Sequence, residues 1–231
     1  MALRWRDDGS VVRVSVRHTR TGRRPSLQAR GCRVRHCLKK IGIFGGSFDP
    51  IHHGHLILAR EALETLPLDR VLFIPAAQSP HKPENAPASP ELRWEMLTAA
   101  IAGEPAFAAS RLELDRPPPS YSVETVEQLR TEMSDAQFYF LVGEDNLPQL
   151  PSWHRFEELR RLVQFVVLDR SGQDVAYDYP AVRRKIDISA TAIRKRVARG
   201  QSIRYLVPEA VERIIRRENL YQGTQESNPK N

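Results

Sequence analysis

Hydrophobic residues form several short continuous runs along the chain. The runs lie at residues 41–44, 70–75, 138–142 and 164–169, and the more mixed segment at 107–114 also favours a strand. Apolar stretches of this length that end at Gly, Pro or Asp are typical of strands buried on both faces of a parallel sheet. The pattern therefore predicts five strands.

Between these runs, apolar residues spaced three or four positions apart predict helices. The expected inward residues, helix by helix, are Leu56, Ala59, Leu63 and Leu66; Trp94, Leu97 and Ile101; Val123, Val126 and Leu129; Ile193 and Val197; and Val211, Ile214 and Ile215. We expect Ser120 or Ser122 to cap the third helix. Gly200 should end the fourth helix, and Pro208 should begin the last one.

The alternation of strands and helices predicts an α/β fold, a single Rossmann-like domain with a doubly wound parallel sheet and a small C-terminal helical subdomain. We place this domain at residues 38–222 and a polar tail at 223–231. Residues 76–90 hold four prolines and predict a long surface loop, of the kind that forms lids or binding sites. A further loop is expected at residues 171–181.

The net charge of the 231-residue chain is +7. Whether this charge indicates a nucleic-acid partner depends on where the basic residues lie. Residues 1–40 hold 12 Lys or Arg and two acids, whereas the remainder holds 23 basic and 26 acidic residues. The body of the chain therefore gives no electrostatic reason to expect nucleic acid as a partner. No apolar run of about eighteen residues occurs, so we expect a soluble, cytoplasmic protein without a membrane partner.

Residues 1–37 form a basic extension, and its composition can be interpreted in three ways. The composition fits a transit peptide, a basic arm that touches nucleic acid, or a start codon assigned too early. We favour the last interpretation and expect the mature protein to begin near Leu38. If residues 1–37 are instead part of the native protein, we expect them to be disordered. The valines at positions 11, 12, 14 and 16 favour a brief strand without a visible partner. Both cysteines, Cys32 and Cys37, lie here, so the body needs no disulfide.

Candidate chemistry centres on residues 41–58, which join a predicted strand to a predicted helix. Gly45 and Gly46 allow a sharp turn and a close approach to another molecule. Free amides at a helix start favour phosphate, and His52, His53 and His55 stand there as hydrogen-bond donors for oxygens that gain charge. An ordinary glycine turn is one alternative. Zinc ligation is another, although no nearby carboxylate or thiolate completes a zinc set.

A second candidate site lies where Ser189 begins a predicted helix that carries Thr191 and Arg194. Free amides, two hydroxyls and a planar guanidinium could hold phosphate oxygens. An ordinary capped amphipathic helix would show the same pattern. Asp145 directly follows the strand at 138–142, at the sheet edge where parallel sheets bind ligands, so it could hold a ribose hydroxyl.

Two strings of residues resemble signatures of the nucleotidylyltransferase superfamily. They are Gly-Gly-Ser-Phe-Asp-Pro-Ile-His-His-Gly-His at 45–55 and Ile-Ser-Ala-Thr-Ala-Ile-Arg at 188–194. Further strings, at 119–122, 141–145, 150–154 and 202–208, are similar to the bacterial nicotinate-nucleotide adenylyltransferase family. The resemblance runs from residue 38 to about residue 221. It departs from the family pattern at Ser47, Ser79, Ser122 and Ala190, and only Ala190 loses a phosphate contact.

The resemblance implies that the 5′-phosphate of nicotinate mononucleotide attacks the α-phosphorus of ATP and releases pyrophosphate, without a covalent intermediate. The implied catalytic residues are His52, His55 and Arg194. The implied phosphate contacts are Gly45, Gly46, Ser47 and Phe48 for the attacking phosphate, the two histidines for the α-phosphate and leaving oxygens, and Ser189, Thr191 and Arg194 for the outer phosphates. Mg²⁺ would bridge the ATP phosphates, with no metal site of the protein's own.

The resemblance also implies a nicotinate pocket made by Tyr121, Ser122 and Trp153, in which backbone amides meet the ring carboxylate. Trp153 could instead serve core packing. The remaining implied nucleotide contacts are Lys82, Gly143, Asp145 and Arg170.

ATP and nicotinate mononucleotide are the expected partners, and the sequence leaves a homo-oligomer open. Two alternatives remain. One is an adenylyltransferase that prefers nicotinamide mononucleotide, and the other is a non-catalytic nucleotide- or RNA-binding protein.

Overall fold

The computed structural model describes residues 2–5, 11–14, 38–77 and 88–222. Within these ranges, six strands form one parallel sheet with helices on both faces. The elements are β1 (Ala2–Trp5), β2 (Val11–Val14), β3 (Lys39–Gly46), α1 (His53–Thr65), β4 (Arg70–Pro75), α2 (Pro90–Ile101), β5 (Phe107–Ala109), α3 (Ser122–Glu132), β6 (Ala136–Gly143), a 3₁₀ helix (Glu144–Ser152), α4 (Phe156–Leu162), β7 (Gln164–Asp169), β8 (Ala181–Arg183), α5 (Ala190–Ala198) and α6 (Glu209–Arg217).

The main sheet has its first strand in the middle. The strand order is β5-β4-β3-β6-β7-β8, and every neighbouring pair is parallel. The chain therefore builds outward from β3 to one edge, returns, and builds outward to the other edge. Such a reversal leaves a ligand-binding crevice beyond the carboxyl ends of the two central strands, here β3 and β6. The predicted Rossmann-like, doubly wound α/β fold is confirmed.

Side chains alternate along each strand and so build a hydrophobic layer on each face of the sheet. Phe44 of β3 packs into the layer that α1, α2, α5 and α6 cover, whereas Ile43 packs into the layer under α3 and α4. The two C-terminal helices bury Ile193 and Ile215 in the same layer as α1 and α2. The C-terminal helices thus share the core of the main sheet.

The structure agrees with the sequence prediction for most elements. The runs at 70–75 and 164–169 match β4 and β7 residue for residue. The predictions missed α4, in which only Leu159 is buried, and β8, which has three residues. Elements this short or this exposed carry too few apolar positions to show a period.

The strand predicted at 107–114 is shorter than expected, because β5 ends at Ala109. The Ser110 amide still donates to the Phe73 carbonyl at 3.0 Å. The Ser110 hydroxyl then accepts a hydrogen bond from the Leu112 amide, which turns the chain away from the sheet. Local side-chain bonding of this kind competes with the strand ladder.

Two details of the helices also differ from the prediction. On α2, Trp94 is only partly buried, whereas Arg93 beside it is 1% exposed. Neither Ser120 nor Ser122 caps α3, because Tyr121 occupies the N-cap position and Ser122 is already the first helical residue.

Two strands of the N-terminal extension form a sheet of their own. β1 and β2 pair antiparallel, with Ala2 opposite Val14 and Trp5 opposite Val11. The predicted strand is therefore present, and the expectation that it lacks a partner is wrong. The rest of residues 1–37 and the tail at 223–231 lie outside the described residues. In the part of the chain that is described, no helix is both long and apolar enough to cross a membrane.

Leu129 tests the packing of α3 on the sheet, because its side chain is fully buried there. We expect Leu129→Ala to lower the free energy of unfolding by about 2–5 kcal/mol in urea denaturation, since it leaves a cavity. Thr131→Ala, on the exposed side of the same helix, should change it by less than about 0.5 kcal/mol. Equal losses in the two variants would contradict the assigned buried face.

Candidate active site

Residues 45–52, called the glycine loop below, connect β3 to α1 at the crevice. Gly45 opens onto free space, since an added Cβ would meet nothing within 4 Å. A Cβ on Gly46 would lie 3.2 Å from the ring of Phe48, which is buried under the loop. Phe48 itself has a φ of +48°, a conformation that non-glycine residues rarely adopt. The loop thus buries its aromatic side chain and exposes its glycine backbone to the crevice.

A buried arginine of α2 fixes the glycine loop. The Nη1 atom of Arg93 donates to the carbonyl oxygens of Ser47 and Ala76, both at 2.8 Å. In a trans peptide the N–H points opposite to the C=O, so the bond to Ser47 directs the Phe48 amide away from Arg93. Burial lowers the pKa of Arg93 from its usual value, and the charge of Asp49 opposes that shift. The guanidinium keeps its positive charge.

Two histidines at the start of α1 stack beside this loop. The ring centroids of His52 and His55 lie 3.7 Å apart, with 20° between the ring planes. The His52 amide donates to Nδ1 of His55 at 3.3 Å, so a neutral His55 ring carries its proton on Nε2. Gly54 makes room for the pair, because a Cβ there would lie 3.0 Å from the His52 ring. His53 instead lines a separate cavity beside α6.

Burial keeps both stacked histidines neutral. Desolvation lowers the pKa of His52 to about 3, and the positive charge of Arg170 adds to the effect. Desolvation also holds the pKa of His55 well below its usual value, with smaller contributions from His52 and Arg170. At neutral pH the pair therefore offers neutral N–H donors and no positive charge.

The N-terminus of α5 forms the opposite wall of the crevice. Ser189 is its N-cap, as predicted, and the Ser189 hydroxyl accepts a hydrogen bond from the Ala192 amide at 3.1 Å. Arg194 reaches across to the glycine loop, where its Nη1 atom donates to the Asp49 carbonyl at 2.7 Å. Its Nη2 atom lies 3.4 Å from the Thr191 hydroxyl. The predicted phosphate ligand is thus bonded to the loop backbone in this structure.

Two cavities meet at the glycine loop, one of about 230 Å³ and one of about 430 Å³. Both are lined by Gly45, Gly46, Ser47 and Gly143. The smaller cavity is also lined by the predicted residues Phe48, His52, His55, Asp145, Arg170, Ser189 and Thr191, and the larger one by Tyr121, Ser122 and Trp153. Apart from Arg194, which does not line either cavity, the structure brings the predicted phosphate ligands to the smaller cavity and the predicted ring pocket to the larger one.

Charged residues at the end of β6 form the rim of the smaller cavity. Arg170 contacts Glu144 at 3.3 Å and Asp145 at 3.5 Å. A Cβ on Gly143 would lie 2.5 Å from the Asp145 carboxylate, so glycine is what allows Asp145 to fold back over the strand end. Asp145 is half-exposed at the strand end, and its contact with a ribose stays a prediction.

The larger cavity has aromatic walls. The Tyr121 and His154 rings lie 4.3 Å apart, and the Trp153 ring meets Phe140 edge-on at 5.9 Å. Trp153 is partly buried against the layer under α3 and α4 and also lines the cavity. Both interpretations of this tryptophan, core packing and ring pocket, are therefore compatible with its position.

Sequence reasoning missed several residues of the site. Arg93 lies on a helix face expected to be apolar. His154, which lines the larger cavity, has no role assigned to it from the sequence. Glu113 lies in the segment predicted as a strand, but it is buried beside the larger cavity, and Thr125 donates to its carboxylate at 2.8 Å. Burial raises the pKa of Glu113. The predicted ligand Lys82 lies outside the described residues.

The described residues hold no group of three or more His, Cys, Asp or Glu side chains that could bind a metal ion. The stacked histidines face each other and do not converge on one point. Asp145 is paired with Arg170. These residues are compatible with a Mg²⁺ ion that phosphate oxygens of a substrate hold.

Comparison with known proteins decides the family. A family model described as cytidylyltransferase-like matches residues 43–196. A protein of Geobacillus thermodenitrificans named "Probable nicotinate-nucleotide adenylyltransferase" is 45% identical over 185 residues, covering 79% of this chain and 86% of that protein. A Thermus thermophilus protein of the same name is 44% identical, covering 79% of this chain and 99% of its own length. The chain belongs to the nicotinate-nucleotide adenylyltransferase family.

A solved structure supports the fold of this nicotinate-nucleotide adenylyltransferase family member. It is described as Plasmodium falciparum nicotinic acid mononucleotide adenylyltransferase complexed with NaAD, and it matches with a TM-score of 0.68. The match covers 79% of this chain and 97% of the other, at 19% sequence identity. At that identity the likeness concerns the fold alone.

The neutral histidines predict a pH dependence of stability. The pKa of His52 falls from an ordinary value near 6.5 to about 3 on folding, so below pH 6.5 the unfolded chain binds more protons. The contribution of His52 to stability is therefore fully present above pH 6.5 and is lost as the pH falls toward 3. We expect His52 to account for about 1–2 kcal/mol of the loss between pH 7 and pH 5 in urea denaturation.

The control for this prediction is His52→Asn, which cannot titrate. Its free energy of unfolding should fall less between pH 7 and pH 5 than that of the unaltered protein. An equal fall in both proteins would show that His52 is not held neutral by the fold.

Proposed function

We propose that this protein transfers the adenylyl group of ATP to nicotinate mononucleotide, forming nicotinic acid adenine dinucleotide and pyrophosphate on the route to NAD. The observation that carries the proposal is the meeting of two cavities at one glycine loop. A transfer between two nucleotides needs a place for a phosphate chain beside a place for a ring. Relatives 38–45% identical that carry the name "Probable nicotinate-nucleotide adenylyltransferase" support the same reaction.

The chemistry needs alignment more than proton transfer. A phosphate oxygen of nicotinate mononucleotide bonds to the α-phosphorus of ATP, and the bond from that phosphorus to the bridging oxygen of the β-phosphate breaks. The electron pair leaves with pyrophosphate. The attacking phosphate is already an anion, so no base has to activate it. The backbone of Gly45–Phe48 and the Ser47 hydroxyl would hold it in line with the leaving group.

His52 and His55 would stabilise the charge that develops on the transferring phosphate. The proton on Nε2 of His55 is available for donation because Nδ1 accepts the His52 amide. A neutral donor in a buried site strengthens its hydrogen bond as negative charge grows on the acceptor. Because the orientation of both rings is set before the substrate arrives, little reorganisation is needed during the reaction.

The outer phosphates would lie against the start of α5. Ser189, Thr191 and the helix amides face this part of the smaller cavity, and a helix N-terminus favours anions. Arg194 would add positive charge from behind the loop. Mg²⁺ bound to the phosphate oxygens would neutralise charge on the leaving pyrophosphate. Asp145 would hold a ribose hydroxyl, with Arg170 keeping its carboxylate in place.

The nicotinate ring would occupy the larger cavity. Tyr121, Trp153 and His154 supply flat aromatic surface. The backbone amides around Tyr121 and Ser122, at the start of α3, would meet the ring carboxylate, since a helix N-terminus attracts negative charge. Preference for nicotinamide mononucleotide, which lacks that carboxylate, is the less favoured alternative. A non-catalytic nucleotide-binding role is also less favoured, because binding alone does not require the two buried histidine donors.

The reaction can be tested by pyrophosphate release from ATP, Mg²⁺ and nicotinate mononucleotide. We expect His55→Ala to lower kcat about a hundredfold, the typical effect of losing one donor to the transition state. His53→Ala is the matched control, because His53 lines a separate cavity, and it should keep kcat within about twofold. A His55→Ala variant with normal turnover would remove His55 from the mechanism, and an inactive unaltered protein would refute the proposed function.

Substrate choice gives an independent test of the ring pocket. With both mononucleotides in competition, kcat/KM should favour the nicotinate form by at least about tenfold, because the amides near Tyr121 recognise a full negative charge. Equal values, or a preference for the nicotinamide form, would contradict the assignment of these amides to the carboxylate.

A further inference from the structure

Asp49 lies in the middle of the glycine loop and is bonded to a residue near the far end of the chain. Its side chain is 2% exposed. Its Oδ1 atom accepts a hydrogen bond from the Tyr221 hydroxyl, 172 positions away in the sequence. Because Asp49 lines the smaller cavity, the loop and the chain after α6 are joined at the wall of that cavity.

The buried carboxylate is surrounded by positive charge as well. Arg194 donates to the Asp49 carbonyl at 2.7 Å, and Arg93 donates to the neighbouring Ser47 carbonyl at 2.8 Å. Burial raises the pKa of Asp49, while the Tyr221 hydrogen bond and then the two arginines oppose that rise. Burial and the Asp49 charge raise the pKa of Tyr221, so its hydroxyl stays protonated and remains a donor.

The chain holds Tyr221 in place at an energetic cost. Asn219 has a φ of +51° and Tyr221 a φ of +60°, which L-residues rarely adopt. The Leu220 amide donates to the Ile215 carbonyl at 3.0 Å, which turns the chain back over α6. Both Leu220 and Tyr221 pack against the hydrophobic layer under α1 and α2. Two unfavourable backbone conformations persist here because packing and the bond to Asp49 fix the turn.

We propose that Tyr221 is a positioning residue for adenylyl transfer, which holds Asp49 and through it the glycine loop that orients the phosphates. Residues 47–51 lie between the end of β3 and the N-cap of α1, outside both hydrogen-bond ladders, so the geometry of this part of the loop depends on such contacts. A displacement of about 1 Å at a reacting centre can lower a rate about a hundredfold. The charge of Asp49 itself is balanced by Arg194 and Arg93, so the role of the Tyr221 bond is to fix the carboxylate in place.

The kinetic test rests on the proposed function and uses Tyr221→Phe, which removes only the hydroxyl. We expect kcat to fall about tenfold or more, the effect of losing a hydrogen bond to a charged group, with both KM values within about twofold. If Tyr221 served packing alone, Phe would replace it fully and only Tyr221→Leu would lower kcat. Tyr205→Phe, at a tyrosine that is 79% exposed in the same part of the chain, should leave kcat unchanged.

A double substitution tests whether the effect passes through Asp49. In an Asp49→Asn background, Tyr221→Phe should lower kcat by no more than about a further twofold, because the charged acceptor is already gone. If the two substitutions instead multiply their separate effects, Tyr221 does not act through Asp49, and the inference is wrong.

Hydrogen exchange provides a readout that needs no activity. In the full chain, amides of the peptide spanning residues 45–55 should exchange about tenfold faster in Tyr221→Phe than in the unaltered protein, since local opening becomes easier. Tyr205→Phe should exchange at the unaltered rate. Unchanged exchange in Tyr221→Phe would overturn the inference even if the adenylyl transfer itself is confirmed. Faster exchange would support it even if the substrates prove to be different.

Discussion

The whole site depends on how the carbonyl oxygens of one short loop are satisfied. The carbonyls of residues 47–49 lie beyond the β3 ladder and before α1, and buried carbonyls without donors are costly. Here the guanidinium groups of Arg93 and Arg194 take the carbonyls of Ser47 and Asp49. These two hydrogen bonds fix the orientation of the loop's peptide groups, and the Phe48 amide therefore points away from Arg93. The same contacts place two positive charges behind a site that is proposed to bind a polyanion.

The distribution of charge around the crevice follows from burial. The histidines nearest the proposed reaction centre are neutral, because desolvation lowers the pKa of both. Full charges stand at the rim, where Arg170 is compensated by Glu144 and Asp145, or behind the loop, where Asp49 compensates two arginines. A chain of phosphates would therefore enter a site that carries donors in front and balanced charge around it. Such a site can bind anions without an excess of exposed cations that would attract other polyanions.

Much of this could be predicted from the sequence, because local patterns carry the information. The parallel strands 70–75 and 164–169 are continuous apolar runs, and the glycine loop and the Ser189 cap are contiguous strings. Contacts between distant segments carry no such signal. Arg93 is buried because a loop 46 residues earlier offers it a carbonyl. Helical periodicity alone predicts that a charged residue lies on the exposed face. The site thus brings together residues that sequence position alone keeps apart.

The same reasoning explains the two wrong predictions about caps and strands. Ser122 looks like a cap, but the backbone of the preceding turn puts Tyr121 at that position. Ser110 turns the chain through its own hydroxyl before the predicted strand at 107–114 is complete. In both cases a single side chain or backbone angle decides the outcome, and residue type gives only a tendency.

The wall shared by the two cavities has a practical consequence for ligand design. Because Gly45, Gly46 and Ser47 border both spaces, a compound that joins an aromatic acid to a short polyanion could fill them together. A joined compound loses the entropy of association once, whereas two separate fragments lose it twice. Two weakly binding fragments could therefore give a tight inhibitor if the linker passes along the open side of Gly45. Bulk added at that glycine would instead be expected to close the passage between the fragments.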